Sequence, residues 1–88
     1  DSLLGGADDD TILGGTGAFG DTIFGNAGAD TIDAGAGADS VNGDDGAAAD
    51  GAGDSILGGA DDDTLYGNGG DDTLDAGAGL DTVFGQDG

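Results

Sequence analysis

The chain has no lysine, arginine, histidine, cysteine, proline, methionine or tryptophan among its 88 residues. The missing cations have the widest consequences. Nothing offsets the 20 acidic residues, all of them aspartate, so the formal charge is -20 and no ion pair between side chains can form. Without Lys or Arg the chain cannot hold the phosphates of a nucleic acid, and an anionic membrane surface repels it for the same reason. No apolar run approaches the roughly 20 residues of a membrane-spanning helix, so membrane insertion is not expected. The lack of cysteine excludes a disulfide framework, and the lack of both Cys and His disfavours zinc and copper. Catalysis loses its usual bases, nucleophile partners and oxyanion donors. A pair of aspartates could in principle serve a glycosidase, but the repeat described below accounts for every aspartate, and the chain is expected not to be an enzyme.

What the chain does have is glycine, 23 residues of it, placed at a regular interval. Gly58 to Phe84 reads GGADDDTLY, GNGGDDTLD and AGAGLDTVF, nonapeptides that follow one another without a gap. A period this short, with a single aliphatic position, cannot make a helical face; it predicts a turn followed by a very short strand, repeated. Earlier in the chain GGADDDTIL (Gly5 to Leu13), GNAGADTID (Gly25 to Asp33) and AGAGADSVN (Ala34 to Asn42) follow the same rule. GGTGAFGDTIF (Gly14 to Phe24) is longer by two residues, and GDDGAAADGAGDSIL (Gly43 to Leu57) by six. Both keep a regular start and end, which predicts enlarged loops near residues 17–21 and 46–54 rather than a domain boundary. Residues 1–88 are expected to form one repeat domain, a segment of a longer array. A second period lies over the first: DSLLGGADDD at Asp1 to Asp10 returns as DSILGGADDD at Asp54 to Asp63, as though a block had been duplicated.

Each position of the unit has a physical reading. The glycines at positions one, two and four permit left-handed or otherwise strained backbone and let carbonyl oxygens point at a common centre. The sixth residue places a carboxylate where turn becomes strand: Asp10, Asp21, Asp30, Asp39, Asp54, Asp63, Asp72 and Asp81. The seventh, Thr or Ser, points outward. The eighth points inward and supplies one core residue per unit: Leu3, Ile12, Ile23, Ile32, Val41, Ile56, Leu65, Leu74 and Val83. So thin a core falls well short of the entropy of ordering a glycine-rich backbone. Alone, the polypeptide is expected to be disordered and self-repelling; a strongly bound cation would change that.

The nonapeptide resembles the G-G-x-G-x-D-x-U-x unit of the RTX (repeats-in-toxin) calcium-binding family, and the resemblance covers essentially the whole chain. It implies an all-β fold, a right-handed parallel β-roll with two nonapeptides per turn and two short-stranded parallel sheets, whose turns repeat at about 4.8 Å. Calcium ions would lie in two rows between turns. One row would place Asp10 over Asp30, Asp30 over Asp54 and Asp54 over Asp72, with the turn from Gly85 closing the last gap. The other would place Asp21 over Asp39, Asp39 over Asp63 and Asp63 over Asp81. The resemblance also implies backbone carbonyl ligands in the turns at Gly5, Ala7, Gly25, Ala27, Ala34, Ala36, Gly58, Ala60, Gly67, Gly69, Ala76 and Ala78. Up to about seven calcium ions would fit, which leaves the bound form acidic.

Donor chemistry agrees with this assignment. Stacked carboxylates at strand spacing repel one another, and only a cation reverses the sign. An all-oxygen set of carboxylates and carbonyls at irregular angles suits calcium better than magnesium. Two irregularities bear on particular sites: Asp44, Asp45 and Asp50 compete with Asp54 in the longest unit, and the turn ahead of Asp21 is altered. Asp72 is where the ladder is expected to be least regular.

At the ninth position one sheet carries Leu4, Phe24, Asn42, Tyr66 and Phe84, and the other Leu13, Asp33, Leu57 and Asp75. The aromatic residues either stack between turns and stiffen the sheet or form a face that packs on a copy of the chain or a neighbouring repeat domain. The functional expectation is a calcium-dependent structural module, extracellular or at the cell surface, within a surface-layer, adhesin or filament protein. The alternative is the calcium-folding secretion module of a secreted toxin or hydrolase.

Overall fold

In the computed structural model, which describes residues 1–44 and 51–87, the chain is built from nine strands and no helix among the described residues. The strands are β1 (Ser2–Gly6), β2 (Thr11–Leu13), β3 (Thr22–Asn26), β4 (Thr31–Ala36), β5 (Ser40–Asp44), β6 (Ser55–Ala60), β7 (Thr64–Gly69), β8 (Thr73–Ala78) and β9 (Thr82–Asp87). They alternate between two parallel sheets, a five-stranded one in the order β1-β3-β5-β7-β9 and a four-stranded one in the order β2-β4-β6-β8. The chain therefore coils as a β-solenoid of about four turns, each built from two units, as a parallel β-roll requires. The strands run to as many as six residues, longer than the very short strands expected, because pairing continues past the aliphatic position into the glycines of the following turn.

Register follows the repeat. Leu3, Ile23, Val41, Leu65 and Val83 stack in one column, and Ile12, Ile32, Ile56 and Leu74 in the other. The two columns face each other across the roll and, with Ala34, form its core. Ile23, Ile32, Val41, Ile56 and Leu65 are fully buried. Val83 departs from the expected inward burial and is 46 % exposed, in β9 at the edge of its sheet among the described residues. The Thr and Ser column is mostly exposed, as its outward direction predicts.

The fifteen-residue unit does not disturb the coil. Ile32 pairs with Ile56 and Val41 with Leu65 across it, in the register of the shorter units. Much of the loop expected at 46–54 lies outside the described residues. The eleven-residue unit is likewise absorbed: Phe19 is pushed out to 87 % exposure while Thr22 keeps its pairing with both Ser2 and Ser40.

Candidate metal centre

Two kinds of corner join the sheets. First corners lead from the five-stranded to the four-stranded sheet and begin at Gly5, Gly25, Gly43 and Gly67, and Gly85 in β9 holds the matching position of the last unit; second corners lead back and begin at Gly14, Ala34, Gly58 and Ala76. The sixth-position aspartates close each corner, and parallel stacking sets them in two files.

Within a file each aspartate is tied to the next turn by the same bond. The backbone N–H of Asp10 donates to Asp30 Oδ1 (2.9 Å), that of Asp30 to Asp54 Oδ1 (2.9 Å) and that of Asp54 to Asp72 Oδ1 (3.0 Å). In the other file Asp21 donates to Asp39 (2.7 Å), Asp39 to Asp63 (2.9 Å) and Asp63 to Asp81 (3.0 Å). The pairs expected from the sequence are the pairs observed. Asp72, where irregularity was expected, makes a rung like the others. Asp54 keeps its rung on both sides; of its three competitors Asp44 lies beside it in the fold, while Asp45 and Asp50 lie outside the described residues.

The ladder uses one carboxylate oxygen, Oδ1, of Asp30, Asp39, Asp54, Asp63, Asp72 and Asp81. The second, Oδ2, is buried and without a hydrogen-bond partner in Asp39, Asp54, Asp63 and Asp72. Its surroundings show why position one favours glycine. A methyl carbon on Gly5 would stand 2.9 Å from Asp10 Oδ2 and 2.6 Å from the Gly25 carbonyl oxygen; one on Gly58 would stand 2.6 Å from Asp63 Oδ2 and 2.5 Å from the Ala76 carbonyl. The same pair of oxygens, a carboxylate from one turn and a first-position carbonyl from the next, closes on Gly14 (Asp21 and Ala34), Gly25 (Asp30 and Gly43), Gly43 (Asp54 and Gly67) and Gly67 (Asp72 and Gly85). Oxygen thus faces oxygen between successive turns, in a chain that carries no side-chain cation. That arrangement is unfavourable by itself and fits a hard cation. No group of three or more carboxylates suited to a metal occurs among the described residues.

Electrostatics reflect the same crowding. Burial pushes the Asp54 carboxyl up to about 6; the charges of Asp30, Asp44 and Asp72 add to the rise, and the hydrogen bond from Asp30 N–H opposes it. Burial, reinforced by charges on neighbouring turns, likewise raises Asp39 and Asp63 above the ordinary carboxylate value.

A model of the RTX calcium-binding nonapeptide repeat matches the chain in 4 copies, over residues 1–18, 16–47 and 49–88. The chain belongs to the RTX calcium-binding nonapeptide repeat family. Searches of curated proteins and of solved structures returned no match. The RTX repeat is a calcium-binding structural fold, not typically a catalytic one, in keeping with the missing catalytic side chains.

Sequence reasoning passed over two participants. The Gly43 carbonyl faces Asp30, and counting position one through the irregular unit would have found it, whereas the Gly85 carbonyl faces Asp72 in the turn expected to close that file. The Asp1 amine donates to Asp21 Oδ1 and so makes the same rung one turn earlier, as its place at position six of a partial unit allows. Asp44, by contrast, stands at position two, where the repeat pattern assigns no carboxylate.

Proposed function

We propose that this RTX roll is a calcium-folded rod, a structural segment of an extracellular or cell-surface protein of the surface-layer, adhesin or filament kind. Asp10, Asp21, Asp30, Asp39, Asp54, Asp63, Asp72 and Asp81 would hold the ions together with first-position and other turn carbonyls. Bound calcium supplies positive charge between turns that otherwise repel. The chain's own part is to set an oxygen of Asp10, Asp21, Asp30, Asp54, Asp63 and Asp72 close to a carbonyl of the next turn, while Oδ1 of Asp30, Asp39, Asp54, Asp63, Asp72 and Asp81 is anchored to a backbone N–H. The observation that carries this reading is the row of buried, unpartnered Oδ2 atoms at Asp39, Asp54, Asp63 and Asp72 in a chain without Lys, Arg or His.

Two features favour a rod over an accessory secretion module. The register continues unbroken past a six-residue insertion, so units can be added without a change of core. The block beginning DSLLGGADDD is repeated as DSILGGADDD within the chain. Low calcium inside a cell would leave the chain unfolded, and millimolar calcium outside would fold it.

Circular dichroism tests the calcium step: a disordered spectrum with chelator and a β spectrum with millimolar calcium are expected, and a folded spectrum without divalent metal would overturn it. Electron microscopy with calcium tests the rod. Filaments are expected, and separate particles would favour the secretion module.

A further inference from the structure

Asp44 occupies the second position of its unit, where the other first corners carry Gly6, Asn26, Asn68 and Gln86. Its exposure is 1 %, and that of Asp54, in the same turn, is 2 %. In a regular corner the third-position N–H donates to a second-position carbonyl of the turn before, as Ala27 does to Gly6 and Ala36 to Gly15. Gly69 N–H donates instead to Asp44 Oδ2, at 3.2 Å, and the Asp44 carbonyl accepts from Asn68 Nδ2 at 3.1 Å. A side-chain carboxylate has thereby entered the backbone ladder between the turns that start at Gly43 and Gly67. Between those turns Asp54 Oδ2, buried and unpartnered, and the Gly67 carbonyl both crowd Gly43, the residue next to Asp44.

The repeat places one carboxylate per turn in each file; here a single turn brings two, both buried, with no side-chain cation anywhere in the chain. We propose that Asp44 joins Asp54 and the Gly67 carbonyl in a calcium site unlike the others in the roll, with one more carboxylate and a preference for cations of higher charge. The proposal rests on the calcium reading above. Added ligand charge tightens calcium sites, and a compact trivalent ion gains most from it. This site would then hold its ion longest as calcium is withdrawn and be the first to accept a lanthanide.

The test titrates terbium(III) into calcium-saturated protein and follows released radioactive calcium. The first equivalent of terbium is expected to displace calcium at least about tenfold more tightly than the following ones. Asp44→Asn places at this position the amide that Asn26 and Asn68 carry; it should abolish that first step and leave the calcium-saturated dichroism spectrum unchanged. Asn26→Asp should add a second tight equivalent, which keeps the proposal falsifiable if the Asp44 variant does not fold. A wild-type chain without a distinct first equivalent, an Asp44→Asn titration identical to wild type, or an Asn26→Asp chain that gains nothing overturns the special site while calcium-driven folding stands. Failure of the wild type to bind calcium at all overturns the underlying reading instead.

Discussion

At first corners position one is always glycine and position two carries a functional side chain in most units; at second corners position two is always glycine (Gly15, Gly35, Gly59, Gly77) and position one accepts alanine. The backbone explains the exchange. Asn26, Asn68 and Gln86 sit at φ of 78°, 74° and 66°, left-handed values that an amide residue tolerates, and Gln86 Nε2 donates to Asn68 Oδ1 at 2.8 Å. Gly35, Gly59 and Gly77 sit at 101°, 116° and 91°, and a Cβ on any of them would strike the carbonyl oxygen of the glycine it pairs with one turn away. One consensus thus covers two sterically different turns. The carboxylate ladder is shared by both, and what surrounds it is not.

Sharing of the ladder gives the largest expected effects. Asp30→Ala at a first corner and Asp63→Ala at a second should each raise the calcium midpoint of folding about tenfold or more, whereas Asp33→Ala and Asp75→Ala, on the exposed outer face, should shift it less than about twofold. A dispensable Asp30 or Asp63 would mean that the files are not equivalent. Next in size is the steric difference. Gly59→Ala should cost about 2–4 kcal/mol in calcium-saturated thermal melts, and Asn26→Gly less than about 1 kcal/mol; equal costs would break the distinction between corners.

Acid sharpens the comparison through Asp54. Its carboxyl is raised from 3.8 to about 6 in the fold, so the folded chain binds the extra proton, and that contribution to stability is complete below about 3.8 and lost as pH rises through about 6. Metal-free protein should therefore gain β signal as pH falls from 7 to 4, while the calcium midpoint rises because binding must expel the proton. Asp54→Asn should weaken both trends; dichroism at graded pH reads them. The smallest effect belongs to the outer face. Tyr66 and Phe84 stack with ring centroids 4.9 Å apart and planes inclined by 8°, so the double change to Ser should cost roughly 1 kcal/mol in melts. A loss of filaments from that double variant at full calcium would show that the face packs on a partner as well.

Much of the site was legible because its geometry is periodic. Once the RTX resemblance implies two units per turn, parallel stacking of sixth-position aspartates fixes which carboxylates meet, and Asp10, Asp30, Asp54 and Asp72 follow in one file. The insertions could be placed but not resolved: three extra aspartates in one unit left no means of choosing among them, and burial of Asp44 beside Asp54 is a property of the folded corner. Position one was read in part: its carbonyls do converge between turns, but the positive φ angles of the regular turns fall at positions two and four, and position one stays small because a carboxylate and a carbonyl close on it.

The sequence alone determined the repeated turn and short strand and, through the resemblance of its nonapeptides to the RTX unit, the family, the coil and its register. Tertiary structure decided which oxygen of each aspartate is spent on a backbone N–H and which is left facing a carbonyl, how the two corners divide the glycines, and that Asp44 enters the ladder. Those choices depend on contacts between residues 18 to 25 positions apart, where atoms of one turn set the space available to the next.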